Sequence, residues 1–119
     1  MMNDLIALLF LAREIAHREH LKTRSFAAHM ALGDFYNAIV EKADAIAESY
    51  QGCEGVLLNI PYLKNTARGS TETVLRSHLD WIKKNRYKAI SADETAVQNL
   101  IDEAVEIYQT LLYKLKFLS

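Results

Sequence analysis

Residues that break helices are nearly confined to one stretch of this 119-residue chain. The only proline, Pro61, and three of the four glycines, Gly52, Gly55 and Gly69, fall between residues 52 and 69. On either side, the chain has little with which to make tight turns. A sandwich or barrel of many short strands is therefore excluded. No segment shows the two-residue alternation of a half-buried strand. Half the residues are apolar and 24% are charged, which is the composition of a packed domain and not of a disordered chain. The length suits one domain over residues 1–119 and one core.

Apolar residues at 3.6-residue spacing predict four helices. The first covers about 4–21, with Asn3 or Asp4 as its cap and Leu5, Leu8, Ala12, Ile15 and Ala16 on one face. The second covers about 25–51 after the polar break Lys22–Ser25 and ends at Gly52. Its stripe runs His29, Leu32, Tyr36, Ile39, Val40, Ala43, Ile46, Ala47, Tyr50. The third covers about 71–87, with Val74, His78, Trp81 and Ile82 inward. The fourth covers about 92–118 and opens on a capping-box pattern, Ser91 followed by Glu94. Its stripe includes Val97, Leu100, Ile101, Ala104, Tyr108, Leu111 and Leu112. The linker 52–69 carries Val56, Leu57, Leu58 and Ile60, so it is expected to pack across the bundle. The expectation is an all-α four-helix bundle with a long crossover between helices two and three, as in ferritin-like folds.

The net charge of −1 gives no reason to expect a dedicated nucleic-acid binder. The one basic cluster, Lys83-Lys84-Asn85-Arg86-Tyr87-Lys88, ends a helix, where cations complement the macrodipole. A lone cysteine, Cys53, rules out an internal disulfide framework and suits a reducing compartment. The apolar run Leu5–Ala12 is far short of the about twenty residues that span a bilayer, and Asn3 and Asp4 stand where a signal peptide is basic. These features read as a soluble, cytoplasmic protein with no membrane partner.

Three of the four histidines, His17, His20 and His29, crowd the region between the first two helices. Glu14 lies one turn before His17, and Asp44 and Glu48 lie one turn apart on the second helix. Imidazole nitrogen with carboxylate oxygen suits iron, manganese or zinc. A histidine on an apolar stripe is more simply a satisfied core residue, which is the reading for His78. Trp81 and Tyr108 read as core or interface aromatics. Cys53 follows a helix C-terminus, where nothing activates a thiolate. The chain carries no P-loop and no Gly-x-Gly-x-x-Gly.

The stretch HREHLKTRSFAAHMALGDFYNAIVEKADAIAES resembles the metal-site region of the Dps-like mini-ferritins. That family pairs a histidine late in its first helix with another twelve residues on, then an Asp-x-x-Ala-Glu signature. Here His17, His29 and Asp44-Ala-Ile-Ala-Glu48 have that spacing. Arg18 follows His17 where the family has Trp, so His20 is the alternative first-helix residue. Gly33 stands where the family often has Asp. The stretch also looks like short Dps-like proteins of tailed phages. The resemblance implies iron binding, Fe(II) oxidation by peroxide or oxygen, and storage in a hollow shell. Its implied ligands are His17, His29, Asp44 and Glu48, with His20 and Glu14 in reserve.

Helix geometry adds a constraint. His17 and His29 sit at one level of an antiparallel hairpin, while Asp44 lies roughly 22 Å and Glu48 roughly 28 Å further along the second helix. Metal–ligand bonds are near 2 Å. One chain therefore cannot gather all four, and a two-fold dimer with antiparallel second helices is expected to complete two sites. The rival expectation is a non-enzymatic helical interaction protein that keeps the bundle without a working metal site. DNA binding through the basic cluster is a weaker third.

Overall fold

The computed structural model describes residues 1–118. They form α1 (Met2–Lys22), α2 (Phe26–Glu54), α3 (Thr71–Ala89) and α4 (Thr95–Phe117), with no strand among the described residues. The four-helix bundle expected from the apolar periodicity is what forms.

Helix ends differ from the sequence reading in instructive ways. Ser25 caps α2 by accepting from the Ala28 amide, and Ser70 caps α3 by accepting from Thr73. Gly52 does not end α2; the helix continues for three residues to Gly55, whose φ of 67° is the left-handed cap. Neither Asn3 nor Asp4 caps α1, whose N-cap is Met1. The Ser91–Glu94 pattern makes a turn instead of a capping box: Ser91 Oγ accepts from Asp93 N, and α4 begins only at Thr95.

Short links make α1/α2 and α3/α4 antiparallel pairs. The crossover, residues 55–70, decides the rest. It starts near the α1 N-terminus, where Asn3 Nδ2 donates to Asn59 O. It then runs along α1, so that Lys64 to Gly69 lie beside Glu14 to Lys22. The crossover thus traverses the bundle and sets α3 parallel to α2. No helix forms within it. In the resulting square, α1 packs on α2 and α3, and α4 packs on α2 and α3. The single long crossover is the connectivity of ferritin-like bundles. The molecule measures 45 × 24 × 22 Å, its long axis matching the about 44 Å of α2.

The core is one cluster with Leu5, Leu9, Leu32, Phe35, Ile39, Leu75, Ile82, Ile101 and Tyr108 at its centre. On α2 the inward face is turned slightly from the predicted stripe: Phe35 is buried and Tyr36 half-buried. That rotation leaves Tyr36 and His29 on the edge facing α1. At the far end, Arg86 of α3 reaches α4. Its Nε donates to Gln98 Oε1 at 2.9 Å, and one terminal nitrogen donates to Gln98 O and to Asp102 Oδ1 at 2.6 Å. Gln98 returns its amide to Ile90 O at 2.9 Å, closing the α3–α4 corner.

Candidate functional site: a histidine cluster at the helix one to helix two corner

The α1–α2 turn brings His17, His20 and His29 together. The His20 and His29 rings stack at 3.8 Å, 17° from parallel. Nδ1 of His20 lies 2.6 Å from the carbonyl oxygen of His29, and Nδ1 of His29 lies 2.7 Å from that of His20. A carbonyl only accepts, so both Nδ1 atoms carry the proton. In the neutral rings Nε2 then carries the lone pair, the tautomer that a histidine metal ligand holds. His17 lies on the other side, stacked on Tyr36 at 4.3 Å and 6.3 Å from His20. The Tyr36 ring meets His20 edge-on at 5.3 Å, and the Arg13 guanidinium stands 5.8 Å from the Tyr36 ring centre.

Gly33 makes room for this arrangement. A Cβ there would sit 3.1 Å from Cε1 and 3.3 Å from Nδ1 of His20. Sequence reasoning registered Gly33 only as a departure from a family pattern. The available signal was a glycine inside a helix, which costs about 1 kcal/mol relative to alanine and so asks for a packing reason.

The other predicted residues are elsewhere. Asp44 and Glu48 are exposed on α2, further from the corner by the roughly 22 and 28 Å that helical rise requires. Among the described residues, no three His, Cys, Asp or Glu side chains converge on one point. Glu14 does not orient an imidazole. It accepts from Arg18 Nε at 2.9 Å and from Arg13 at 3.5 Å. Backbone carbonyls do the orienting instead. Stacked rings also direct their in-plane lone pairs along nearly parallel planes, so His20 and His29 do not both address one cation without a ring rotation.

Outside the corner, His78 is buried, as the sequence suggested, but it is not satisfied, since its Nδ1 is unbonded; burial lowers its pKa to about 4. The Cys53 thiol is 3.2 Å from Glu94 Oε2, and that carboxylate pushes its pKa up, away from reactivity. In the basic cluster, Arg86 is committed to α4 and is not available to a partner. No helix is long and apolar enough to cross a membrane among the described residues. Comparison with curated proteins and with solved structures gave no match. Residues 20–115, which include His20, His29, Asp44 and Glu48, match a family of unknown function (DUF5856), and the chain belongs to that family.

Proposed function

We propose that the protein binds iron and oxidises Fe(II) with peroxide or oxygen at sites shared between two copies, as a mini-ferritin-like protein of the reducing cytoplasm. The observation that carries this reading is the reciprocal bonding of His20 and His29, which leaves a basic Nε2 on each ring with its orientation fixed. His17 is the third nitrogen of the cluster. Asp44 and Glu48 are exposed one turn apart and have no ion-pair partner among the described residues, which leaves their oxygens free for a cation. A two-fold axis crossing α2 near residue 37 sets residue 29 of one copy against residues 44–48 of the other. Iron is the substrate here. Each Fe(II) gives up one electron, two reduce one peroxide to water, and carboxylate oxygens favour the Fe(III) product.

The histidines' part is to bind Fe(II) through nitrogen: one ring of the stacked pair does so while its Nδ1–H bond holds it, and the second joins the same ion only after rotating out of the stack. His20 is the stronger first-helix candidate, because a backbone carbonyl fixes its ring through Nδ1. The test is iron content and Fe(II) oxidation rate of the purified protein with peroxide. A rate above buffer that falls to the buffer rate in His29→Ala, but not in His78→Ala, supports the reading.

One observation favours a second reading. The His20–His29 pair satisfies both Nδ1 groups and ties α1 to α2 without any ion. A bundle that uses the pair only as a clasp would be a non-enzymatic interaction protein. Such a protein returns from iron loading with no bound metal and gives only the buffer rate.

A further inference from the structure

On the side of the bundle made by α2 and α4 lies a groove of about 380 Å³. Ala31, Phe35, Ala38, Ile107 and Leu111 give it an apolar lining. Two ion pairs bridge it, Lys42–Glu103 at 2.6 Å and Lys114–Asp34 at 3.7 Å. Glu106 lies at its rim with no ion-pair partner among the described residues. Three acids against two lysines leave the groove with one net negative charge.

The opposite side carries a surface of matching chemistry. The crossover covers the α1–α3 side, directly across the bundle from the groove. Residues 55–70 contain Lys64 and Arg68 and no acid. Tyr62 stands wholly in solvent at 104% exposure, beside Leu63 at 42%. The segment lacks helix or strand structure. The groove spans residues 31–42 of α2, roughly 16 Å. An extended chain covers that in about five residues, the length of Pro61–Asn65.

We propose that the α2–α4 groove receives the Tyr62 crossover of a second copy, so that copies associate head to tail. The Tyr62 ring takes the apolar floor, and the crossover's positive charge answers Glu106. Donor and acceptor faces lie on opposite sides, so the contact is heterologous and repeats from copy to copy. A contact of about five residues is small against a stable interface, so the association is weak and concentration-dependent. It stands apart from the histidine corner and does not rest on the iron reading.

The test uses the full chain with two variants, each spoiling one face. Tyr62→Asp removes the fully exposed anchor, and Thr110→Arg puts a bulky cation on the exposed groove rim. Unchanged thermal midpoints establish that both fold. Sedimentation of the unaltered chain shows growth with concentration, and each variant weakens it about tenfold or more, as loss of an aromatic anchor does. Labelled Thr110→Arg chain then binds Tyr62→Asp chain, because its crossover meets an intact groove. Neither variant binds itself as well. A chain of constant size at all concentrations overturns the proposal. So does equal affinity of the mixed pair and both self-pairs.

Discussion

His20 and His29 each donate a ring proton to the other's backbone carbonyl, at 2.6 and 2.7 Å, across the α1–α2 corner. The pair closes a loop between two helix ends with no third residue. Each carbonyl belongs to a terminal turn, at the end of α1 and the start of α2. A C-terminal carbonyl of α1 has no intrahelical partner, so the His29 ring satisfies a group that would otherwise need water. The clasp therefore helps hold the helix end that presents the imidazoles.

Gly33 tests whether the His20 ring is held where it lies. Gly33→Ala gains up to about 1 kcal/mol of helix propensity. It also puts a methyl 3.1 Å from His20 Cε1, so the ring must move and the gain is cancelled. In a His20→Ala background the obstacle is gone and the full gain returns. Urea midpoints of the four chains should show a coupling of about 1 kcal/mol. Equal stabilisation in both backgrounds would mean that the ring does not rest on Gly33.

The bundle was legible because apolar spacing and one loop of breakers leave few alternatives. Tyr108 and His78 are buried as the apolar spacing predicts, but His78 is not the satisfied core residue expected: its Nδ1, like the Tyr108 hydroxyl, has no hydrogen-bond partner among the described residues. The rotation of α2 was not legible: Phe35 and Tyr36 are adjacent and both apolar enough for the stripe. What separates them is the Phe35 ring edge-on to Tyr108 at 5.1 Å, a contact between distant segments. The same limit applies to the site. Sequence spacing favoured the His17–His29 pair, but the side chains pair His20 with His29, because backbone carbonyls are invisible in residue types. Asp44 and Glu48 remain far from the corner within one chain, as the rise of the helix demanded.

His78 makes stability depend on acid. Its pKa falls from 6.5 to about 4 on folding, because burial disfavours the charged form. Below about pH 6.5 the unfolded chain takes up a proton that the folded chain refuses. Stability therefore declines as pH falls from about 6.5 to about 4, by at most about 3 kcal/mol, and then levels for this group. His78→Leu lacks the proton to gain. The difference in urea midpoint between the two chains should shift in favour of the leucine chain across that window. A constant difference would mean that His78 is not buried as a neutral ring.

Arg86 and Asp102 form an asymmetric pair. The Arg86 side chain is 10% exposed and that of Asp102 is 60% exposed. Arg86→Ala strips the donor from Gln98 Oε1 and one donor from its backbone carbonyl, while the Gln98 amide keeps Ile90 O. Unpaired buried polar groups cost about 1–3 kcal/mol each, so a loss of roughly 3 kcal/mol is expected. Asp102→Ala removes a largely exposed carboxylate and should cost about 1 kcal/mol or less, since water screens it. Thermal or urea melts decide. Similar losses for the two would mean that the ion pair, not the Gln98 network, closes the α3–α4 corner.

The strongest test of a shared iron site is complementation. His29 and Glu48 are separated along α2 by nineteen residues, roughly 28 Å, so no motion of side chains unites them in one chain. If each site takes its nitrogen from one copy and its oxygen from another, a two-fold pair holds two sites. A His29→Ala chain spoils the nitrogen half of one, and a Glu48→Ala chain the oxygen half of the same one. The mixed pair keeps the other site intact. His29→Ala and Glu48→Ala chains, each inactive alone, should recover about one iron site per dimer when unfolded, mixed and refolded together. The readout is bound iron per chain, with oxidation rate as a second measure. Full iron binding by a demonstrated monomer excludes the shared site. A confirmed heterodimer that binds none does so as well, since it offers an intact histidine half opposite an intact carboxylate half.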